Sequence, residues 1–480
     1  LVNNDYDVKG YVQAKGHIGG SLYNPNFNGS VTSNFLTING EGITNISGTL
    51  YADKTVVNLE KFEFDEEQGG HYMARAGMST VGDKRLFGTL QVTNGRVSNL
   101  LSLLGKPVDK LDGSLSGTVD LGGTYGNPSL NVVGSIKDVT IDTKVVGDAK
   151  IDASLENRKF KIRTLKLPVD DGLIAAGGTV DLDGDADLQI AVRDVDIEPF
   201  LPLIGDNINA TGSVTGVINM TGATQNPKVE LSASLANGSY NGIDIDQGFV
   251  LATMENHVIN VQRIQGVKED YKLSAYGKIP LAALYTTGYL DANDSKAMDM
   301  TIDFNEADMA VIPLITPTVK DATGALKGVV HVTGTIDQPE AYGTVSVRNG
   351  TMKIKTVGNE LKNIDGDLIF SGQQADFQSR ISAGKGTAGL AAKVNWTGHT
   401  MTSYRAAIQL DGLDLANEYI SGPLKGEFYI AEKEGIPTLM GDLNLENMKL
   451  KIPLSLETSE STRDLGIDVN VHAGKNVRLY

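Results

Sequence analysis

The 480-residue chain contains no cysteine. Disulfides, thiolate metal sites, Fe–S clusters and cysteine nucleophiles are thereby excluded together. Aromatic residues are scarce, with 1 Trp, 16 Tyr and 12 Phe, so any extended apolar surface must be built from Val, Leu, Ile, Ala and Met. Cationic residues are in deficit: 42 Lys+Arg stand against 59 Asp+Glu, a net charge of −17. That balance argues against nucleic acid, whose phosphates need basic neutralisation, and against anionic membrane surfaces. No window reaches the ~18 apolar residues of a membrane span, and no signal peptide is present. The six histidines (17, 71, 257, 331, 399 and 472) never pair at ligand spacing, which argues against zinc. The polar opening at Leu1 and the closing VNVHAGKNVRLY, a strand cut in mid-run, read as the ends of a piece of a longer protein.

Glycine is abundant, at 55 residues, and 40% of the chain is apolar, too much for a disordered polypeptide. Single cores stop growing near ~250–300 residues, so the chain must split into domains or extend as a solenoid. The glycines carry a repeat. Gly113, Leu115, Gly117, Val119, Leu121 and Gly123 occupy alternate positions, and so do Gly212, Val214, Gly216, Ile218, Met220 and Gly222. A third copy is Gly324, Leu326, Gly328, Val330, Val332 and Gly334; a fourth is Gly422, Leu424, Gly426, Phe428 and Ile430, ending on Glu432. The first segment aligns as Tyr6, Val8, Gly10, Val12, Ala14 and Gly16. A proline follows the last position by five residues at Pro128, Pro227, Pro339 and Pro437, and by nine at Pro25. The period of roughly 100 residues divides the chain into repeats at 1–106, 107–206, 207–317 and 318–420, with a partial fifth at 421–480.

Short apolar segments, one or two turns of helix, precede three copies at 100–104, 200–204 and 311–315, with a weak echo at 415–420. Such segments either fill a core or gate a groove. Elsewhere the pattern alternates with period 2, as in Leu188, Ile190 and Val192. The same holds for Val229, Leu231 and Leu235, for Val345 and Val347, for Ile408 and Leu410, and for Leu443 and Leu445. This is the signature of half-buried strands. Asn-Gly at 28, 39, 94, 237, 241 and 349 and Asp-Gly at 112, 171, 183, 365 and 411 read as tight hairpin turns. They imply roughly 8–10 short strands per repeat. The expected fold is all-β: an elongated, repetitive, curled antiparallel sheet with a hydrophobic concave interior and short helical turns between repeats. The alternating residues just named, with Val119, Leu121, Val214, Ile218, Met220, Val330 and Val332, are the candidate lining of that interior. A long exposed apolar strip marks a binding surface, and a long unpatterned one suits acyl chains.

The glycine-alternating strand, its turn and proline, and the apolar segment before each copy resemble the TamB family of the AsmA-like group. The resemblance covers essentially the whole chain through its repeats. It implies a β-taco groove crossing the periplasm of a diderm bacterium and carrying phospholipid between inner and outer membranes. It also implies an outer-membrane barrel partner of the assembly family and an inner-membrane anchor outside this segment, as is the family's C-terminal region. No catalytic residue and no cofactor other than the transported phospholipid is implied.

Competing motifs carry less. Gly384-Lys385-Gly386-Thr387-Ala388-Gly389 matches GxGxxG, but a strand-like LAAKVNW follows where a dinucleotide site needs a helix. Asp181-Leu182-Asp183-Gly184-Asp185 has calcium-loop spacing but Val192 where the twelfth-position glutamate belongs. Asp142, Asp181, Asp244 and Asp246 fall in turns or on the wet face. The alternative to a lipid conduit is a closed-core structural solenoid or adhesin stalk without lipid. A hydrolase on a β-scaffold would need convergent polar groups, and no nucleophile–base pair is present.

Overall fold

The computed structural model describes residues 7–67, 69–103, 105, 110–204, 209–240, 243–268, 271–284, 296–305, 307–315, 319–354, 359–416, 419–433, 436–451 and 466–479. Tyr6, Leu104 and the repeat junctions at 106/107, 206/207 and 317/318 lie outside them. The chain divides into two units, 1–236 and 237–480. The first runs β1 (Val8–Gly10), β2 (Gln13–Ser21), β3 (Asn24–Ile38), β4 (Glu41–Ala52), β5 (Val56–Glu66), β6 (His71–Ser79), β7 (Leu86–Arg96), α1 (Val97–Leu103), β8 (Leu111–Thr124), β9 (Asn127–Ile141), β10 (Lys144–Glu156), β11 (Lys159–Val169), β12 (Gly172–Asp181), β13 (Asp185–Asp196), α2 (Leu201–Ile204) and β14 (Ala210–Ala223). β15 (Lys228–Tyr240) contains the division. The second runs β16 (Ile243–Glu255), β17 (Val258–Lys268), β18 (Tyr271–Pro280), α3 (Leu281–Leu284), β19 (Asp299–Asp303), α4 (Ile312–Ile315), β20 (Val319–Thr323), β21 (Leu326–Gly334), β22 (Pro339–Ile354), β23 (Glu360–Gly372), β24 (Gln374–Ala383), β25 (Gly386–Thr397), β26 (Thr400–Ala416), β27 (Ile420–Lys433), β28 (Ile436–Leu445), β29 (Lys449–Leu450), β30 (Gly466–Ala473) and β31 (Arg478–Leu479).

The protein is all-β, and within each unit the strands form a long antiparallel meander that does not close into a barrel. Among the described residues, parallel pairing occurs only where β30 joins β28 and β31 joins β29. Between α1 and α2 lie six strands of 10–15 residues, fewer and longer than the 8–10 expected. The miscount has a physical cause. Asn39-Gly40, Asp171-Gly172 and Asp183-Gly184 sit at hairpins, but the dipeptides at 94, 112, 349, 365 and 411 sit inside strands beside register shifts. Asn94 and Asn349 have φ of 52° and 56°. The left-handed conformation that favours Asn-Gly in a hairpin serves a β-bulge equally well. A bulge bends its strand, so these dipeptides bend strands where the sequence suggested ends.

The repeat's last glycine has an equally local reason. Gly20, Gly123 and Gly334 pair directly with Pro25, Pro128 and Pro339 across hairpins, at φ of 85°, 79° and 79°. A side chain at such a φ is strained. The pairing also re-registers the first copy. Gly20, not Gly16, is the partner of Pro25, so the copy reads Gly10, Val12, Ala14, Gly16, Ile18, Gly20. Gly10 then shares its extended positive φ (137°) with the leading Gly113, Gly212, Gly324 and Gly422, at 126–154°. The four-residue offset restores the leading glycine and the five-residue interval to the proline, and puts Ala14 and Gly16 where the other copies carry the middle glycine and an apolar residue.

Three of the four solid cores lie where short helices or their lead-in turns dock, and the fourth, Leu424, Leu445 and Met448, is built by strands and the Met448 turn. Leu36, Ile43 and Ile46 pack with Phe62, Phe64 and Leu103 of α1. Val139, Ile141, Val146 and Ala149 pack with Leu111, Leu167 and Phe200, the last in the 3-10 turn Glu198–Phe200 that leads into α2. In the second unit Met309, Val319, Ala322, Leu361, Ile364 and Leu413 form a cluster against which Ile312 of α4 packs. The apolar segments therefore contribute side chains to cores.

Candidate functional site

Directly opposed residues of an antiparallel ladder share a face, and their chain neighbours point to the other. The registers can thus be followed across the first unit strand by strand. One rung passes through Ala14, Val31, Gly48, Phe62, Ala74, Leu90, Val119, Val132, Ala153, Ile162, Gly178, Leu188 and Met220, one residue from each of β2 to β14. The adjacent rung passes through Gly16, Gly29, Leu50, Leu59, Ala76, Gly88, Leu121, Leu130, Leu155, Phe160, Val180, Ala186 and Gly222. No polar side chain interrupts either. A rung on the opposite face passes through Arg75, Thr89, Asp120, Asn131, Ser154, Lys161, Thr179, Asp187 and Thr221, polar throughout.

The second unit repeats the arrangement. Val250, Ile264, Ala275, Ile302, Val330, Gly343, Phe370, Ala375 and Val394 form one rung. Gly328, Val345, Leu368, Phe377, Ala392, Ala406, Ile430, Leu439 and Ile467 form another. The rung through Leu326, Val347, Gly366, Ser379, Leu390, Ile408, Phe428, Gly441 and Val469 has one polar member. That member is Ser379, whose Oγ is buried without a hydrogen-bond partner among the described residues.

The sequence-derived candidates fall on such rungs. Val119 and Leu188 share the first, and Leu121 lies on the second. Ile190 opposes Ile218, Leu188 opposes Met220, and Val214 opposes Val195; Val192 lies between Ile174 and Gly216. Val332 lies between Met300 and Ala341, and Leu410 between Ala388 and Gly426, which opposes Leu443. Val229, Leu231 and Leu235 alternate on β15 with exposed Glu230, Ser232 and Ser234. Val330, Val345, Val347 and Leu445 are buried and the other candidates half-buried. Val347 and Leu445 belong to solid clusters. Sequence reasoning missed Val31, Phe62, Leu90, Val132 and Ile162. Each bulge advances the phase of alternation by one residue, so counting in twos fails beyond it; the Asn-Gly and Asp-Gly signals mark some of these bulges, while those near Asp194 and Asp152 carry neither dipeptide.

A cavity of about 440 Å³ opens on this face in the first unit, lined by residues that include Phe27, Gly29, Val31, Gly48, Leu50, Leu59 and Phe62. Near the helix-docked edge Glu66 is 3% exposed. It accepts the Tyr72 hydroxyl at 2.5 Å and the Arg96 backbone N–H at 3.1 Å. Burial first, and then Glu66, push the Tyr72 phenol well above its ordinary range. On the hairpin after β4, Asp53 accepts hydrogen bonds from the Thr55 hydroxyl and backbone N–H and from Tyr51, which pull its carboxyl down to about 2.

The rival motifs have ordinary occupants. Gly384 lies in the hairpin between β24 and β25, so no helix follows the GxGxxG string. In the Asp181–Asp185 turn, Asp181 accepts the Asp183 backbone N–H at 3.0 Å and Asp183 pairs with Arg158. Among the described residues, no three His, Asp or Glu side chains come together as metal ligands do. Comparison with known proteins finds no matching family model, no matching curated protein and no matching solved structure.

Proposed function

We propose that the protein is a non-enzymatic conduit for phospholipid, its acyl chains lying along the apolar rungs and its headgroups remaining in water. The observation that supports this most is the continuity of the apolar rungs, thirteen strands long in the first unit, against an opposite face with a rung that is polar throughout from β6 to β14. Removing a methylene from water is worth about 0.8 kcal/mol, so a long acyl chain gains substantially wherever it lies on such a face. Equivalent successive rungs keep that gain level, which permits sliding. The resemblance of the repeats to the TamB family implies that the conduit works in the periplasm, in a longer protein anchored in the inner membrane and partnered by an outer-membrane barrel of the assembly family.

Mass spectrometry of an organic extract of the purified chain tests the reading. Co-purifying phospholipid is expected; a lipid-free extract favours the closed structural stalk. In vesicle-to-vesicle transfer, Leu231→Arg is expected to abolish exchange. A folded Leu231→Arg protein that transfers lipid at the original rate removes Leu231 from the path.

A further inference from the structure

In the second unit the face opposite Ser379 is not flat. Over 376–380, 387–393, 405–411 and 425–431 the strands β24 to β27 pair without a register shift, so simple alternation fixes which side chains share that face. Small residues meet there. Ala391 opposes Ala407, and over Gly389, the last glycine of the GxGxxG string, a Cβ would meet nothing within 4 Å among the described residues. Above this floor three cavities of about 480, 540 and 550 Å³ stand end to end. The middle one shares Ala391, Ala407 and Tyr429 with the first, and Arg380, Gly389 and Glu427 with the third. Together they make one trough along β25 between Lys393 and Thr387, about 20 Å long at ~3.3 Å per residue. Gln378 and Arg380 of β24 form one wall, and Glu427 and Tyr429 of β27 the other, all four exposed. The Arg380 guanidinium makes no ion pair or hydrogen bond among the described residues.

We infer that this trough binds an uncharged glycan chain lying along β25, with one sugar ring stacked on Tyr429 and hydroxyls bonded by Gln378, Arg380 and Glu427. A pyranose has an apolar C–H face and a rim of hydroxyls, each both donor and acceptor. The Tyr429 ring, in a side chain 52% exposed, offers the C–H face its negative π surface. Amide, guanidinium and carboxylate groups side by side satisfy the hydroxyls. Charge argues against ionic chains. Asp376 pairs with Lys393 at 3.5 Å and Asp411 with Lys425 at 4.0 Å, and Arg380 stands opposite Asp365. A polyanion or a polycation therefore meets its own sign along the trough. An extended peptide gains little, because the backbone groups of these strands are engaged in the ladders and cannot pair with an added strand. The acyl rungs occupy the other face, so the trough stands whether or not the protein carries lipid.

Isothermal titration of the whole 480-residue chain with cellohexaose, maltohexaose and hexa-N-acetylchitohexaose tests it, beside a Ser-Gly hexapeptide and hexaglutamate. Binding of at least one hexasaccharide, and of neither peptide, is expected. Tyr429→Ala should weaken it about ten-fold by removing the stacked ring, and Tyr429→Phe should restore most of the loss. Ala391→Trp should abolish it by filling the floor. Both positions are exposed, and Tyr429→Ala decides the matter should Ala391→Trp not fold. Absence of binding by all three sugars to the wild-type chain overturns the site, as does unchanged affinity in Tyr429→Ala or in a folded Ala391→Trp. Binding of the Ser-Gly peptide as tight as that of the best sugar overturns the glycan in favour of an extended peptide, and tighter binding of hexaglutamate does so in favour of an acidic chain.

Discussion

The side-chain amide of Asn39 donates to the backbone carbonyl of Leu103, 64 residues on, at 3.3 Å. It also donates to that of Ser102 at the same distance. Asn39 turns the β3–β4 hairpin with φ of 52° and so satisfies the last carbonyls of α1, whose Leu103 packs on the core beside that hairpin. One residue therefore supplies both a turn conformation and a helix terminus. The two roles separate by substitution. Asn39→Gly keeps the backbone and loses the hydrogen bonds, about 1 kcal/mol. Asn39→Ala adds left-handed strain of about 1–2 kcal/mol. Hydrogen exchange at Ile43 and Ile46 should rank the proteins wild type, Gly, Ala.

The glycine–proline hairpins make a sharper comparison. Gly123 and Gly222 have φ of 79° and 83°, so alanine meets the same conformational cost at both, about 1 kcal/mol. Around Gly222 a Cβ meets nothing within 4 Å among the described residues, whereas at Gly123 it collides with the Asn127 carbonyl and stands 2.8 Å from Ser129 N. Gly123→Ala should lower the urea midpoint clearly more than Gly222→Ala. Equal losses would show that the hairpin backbone yields.

These hairpins also mark what could be read without coordinates. The Gly-to-Pro interval and the alternation of Leu188, Ile190 and Val192 depend only on neighbours in the chain, and the all-β meander follows from them. Which residues share a face with Val119 depends on how many bulges intervene, and Asn94-Gly95 is spelled like the hairpin at Asn39-Gly40. The difference lies in the partner strand. β7 continues past Asn94 because β8 resumes pairing at Leu115, opposite Gly95. The candidate face was therefore visible as a pattern, but its continuity across β2–β14 was not. Nor was the cavity beside Phe27, which depends on glycines of three different strands meeting.

Tyr72 is 1% exposed and stacks on Phe64 with ring centroids 4.6 Å apart. Tyr72→Phe keeps the stack and leaves the buried Glu66 carboxyl without its hydroxyl donor, which should cost about 2 kcal/mol. The phenol's raised folded-state pKa fixes the sign of the alkaline dependence. The hydroxyl's contribution is complete below the unfolded tyrosine value of about 10 and is lost above it. The stability gap between wild type and Tyr72→Phe should be level to about pH 9 and narrow beyond about pH 10.

Asp53 gives the opposite dependence. Its carboxyl is held at about 2 in the folded chain, against about 3.9 when unfolded. A depressed folded value stabilises above the unfolded pKa and is lost as pH falls towards the folded one. Wild type and Asp53→Asn should therefore differ by a constant amount above about pH 5 and converge between about pH 4 and pH 2, read as thermal midpoints. A gap that persists unchanged at pH 2 would remove the carboxylate from the account and leave only the shape of the turn.

Ser379 offers a gain. It stands between Gly366 and Leu390 on an otherwise apolar rung, and its buried Oγ finds no hydrogen-bond partner among the described residues. An unsatisfied buried hydroxyl costs about 1–3 kcal/mol, and alanine removes it while retaining the Cβ that packs there. Ser379→Ala should raise the denaturation midpoint of the second unit by the equivalent of about 1 kcal/mol, and Ser379→Thr should forgo that gain by keeping the hydroxyl. In the lipid reading the same change should leave transfer intact or raise it, because an acyl chain crossing this rung meets one polar atom fewer. A lower midpoint for Ser379→Ala would mean that the hydroxyl is satisfied after all, by a water or a headgroup reaching into the rung.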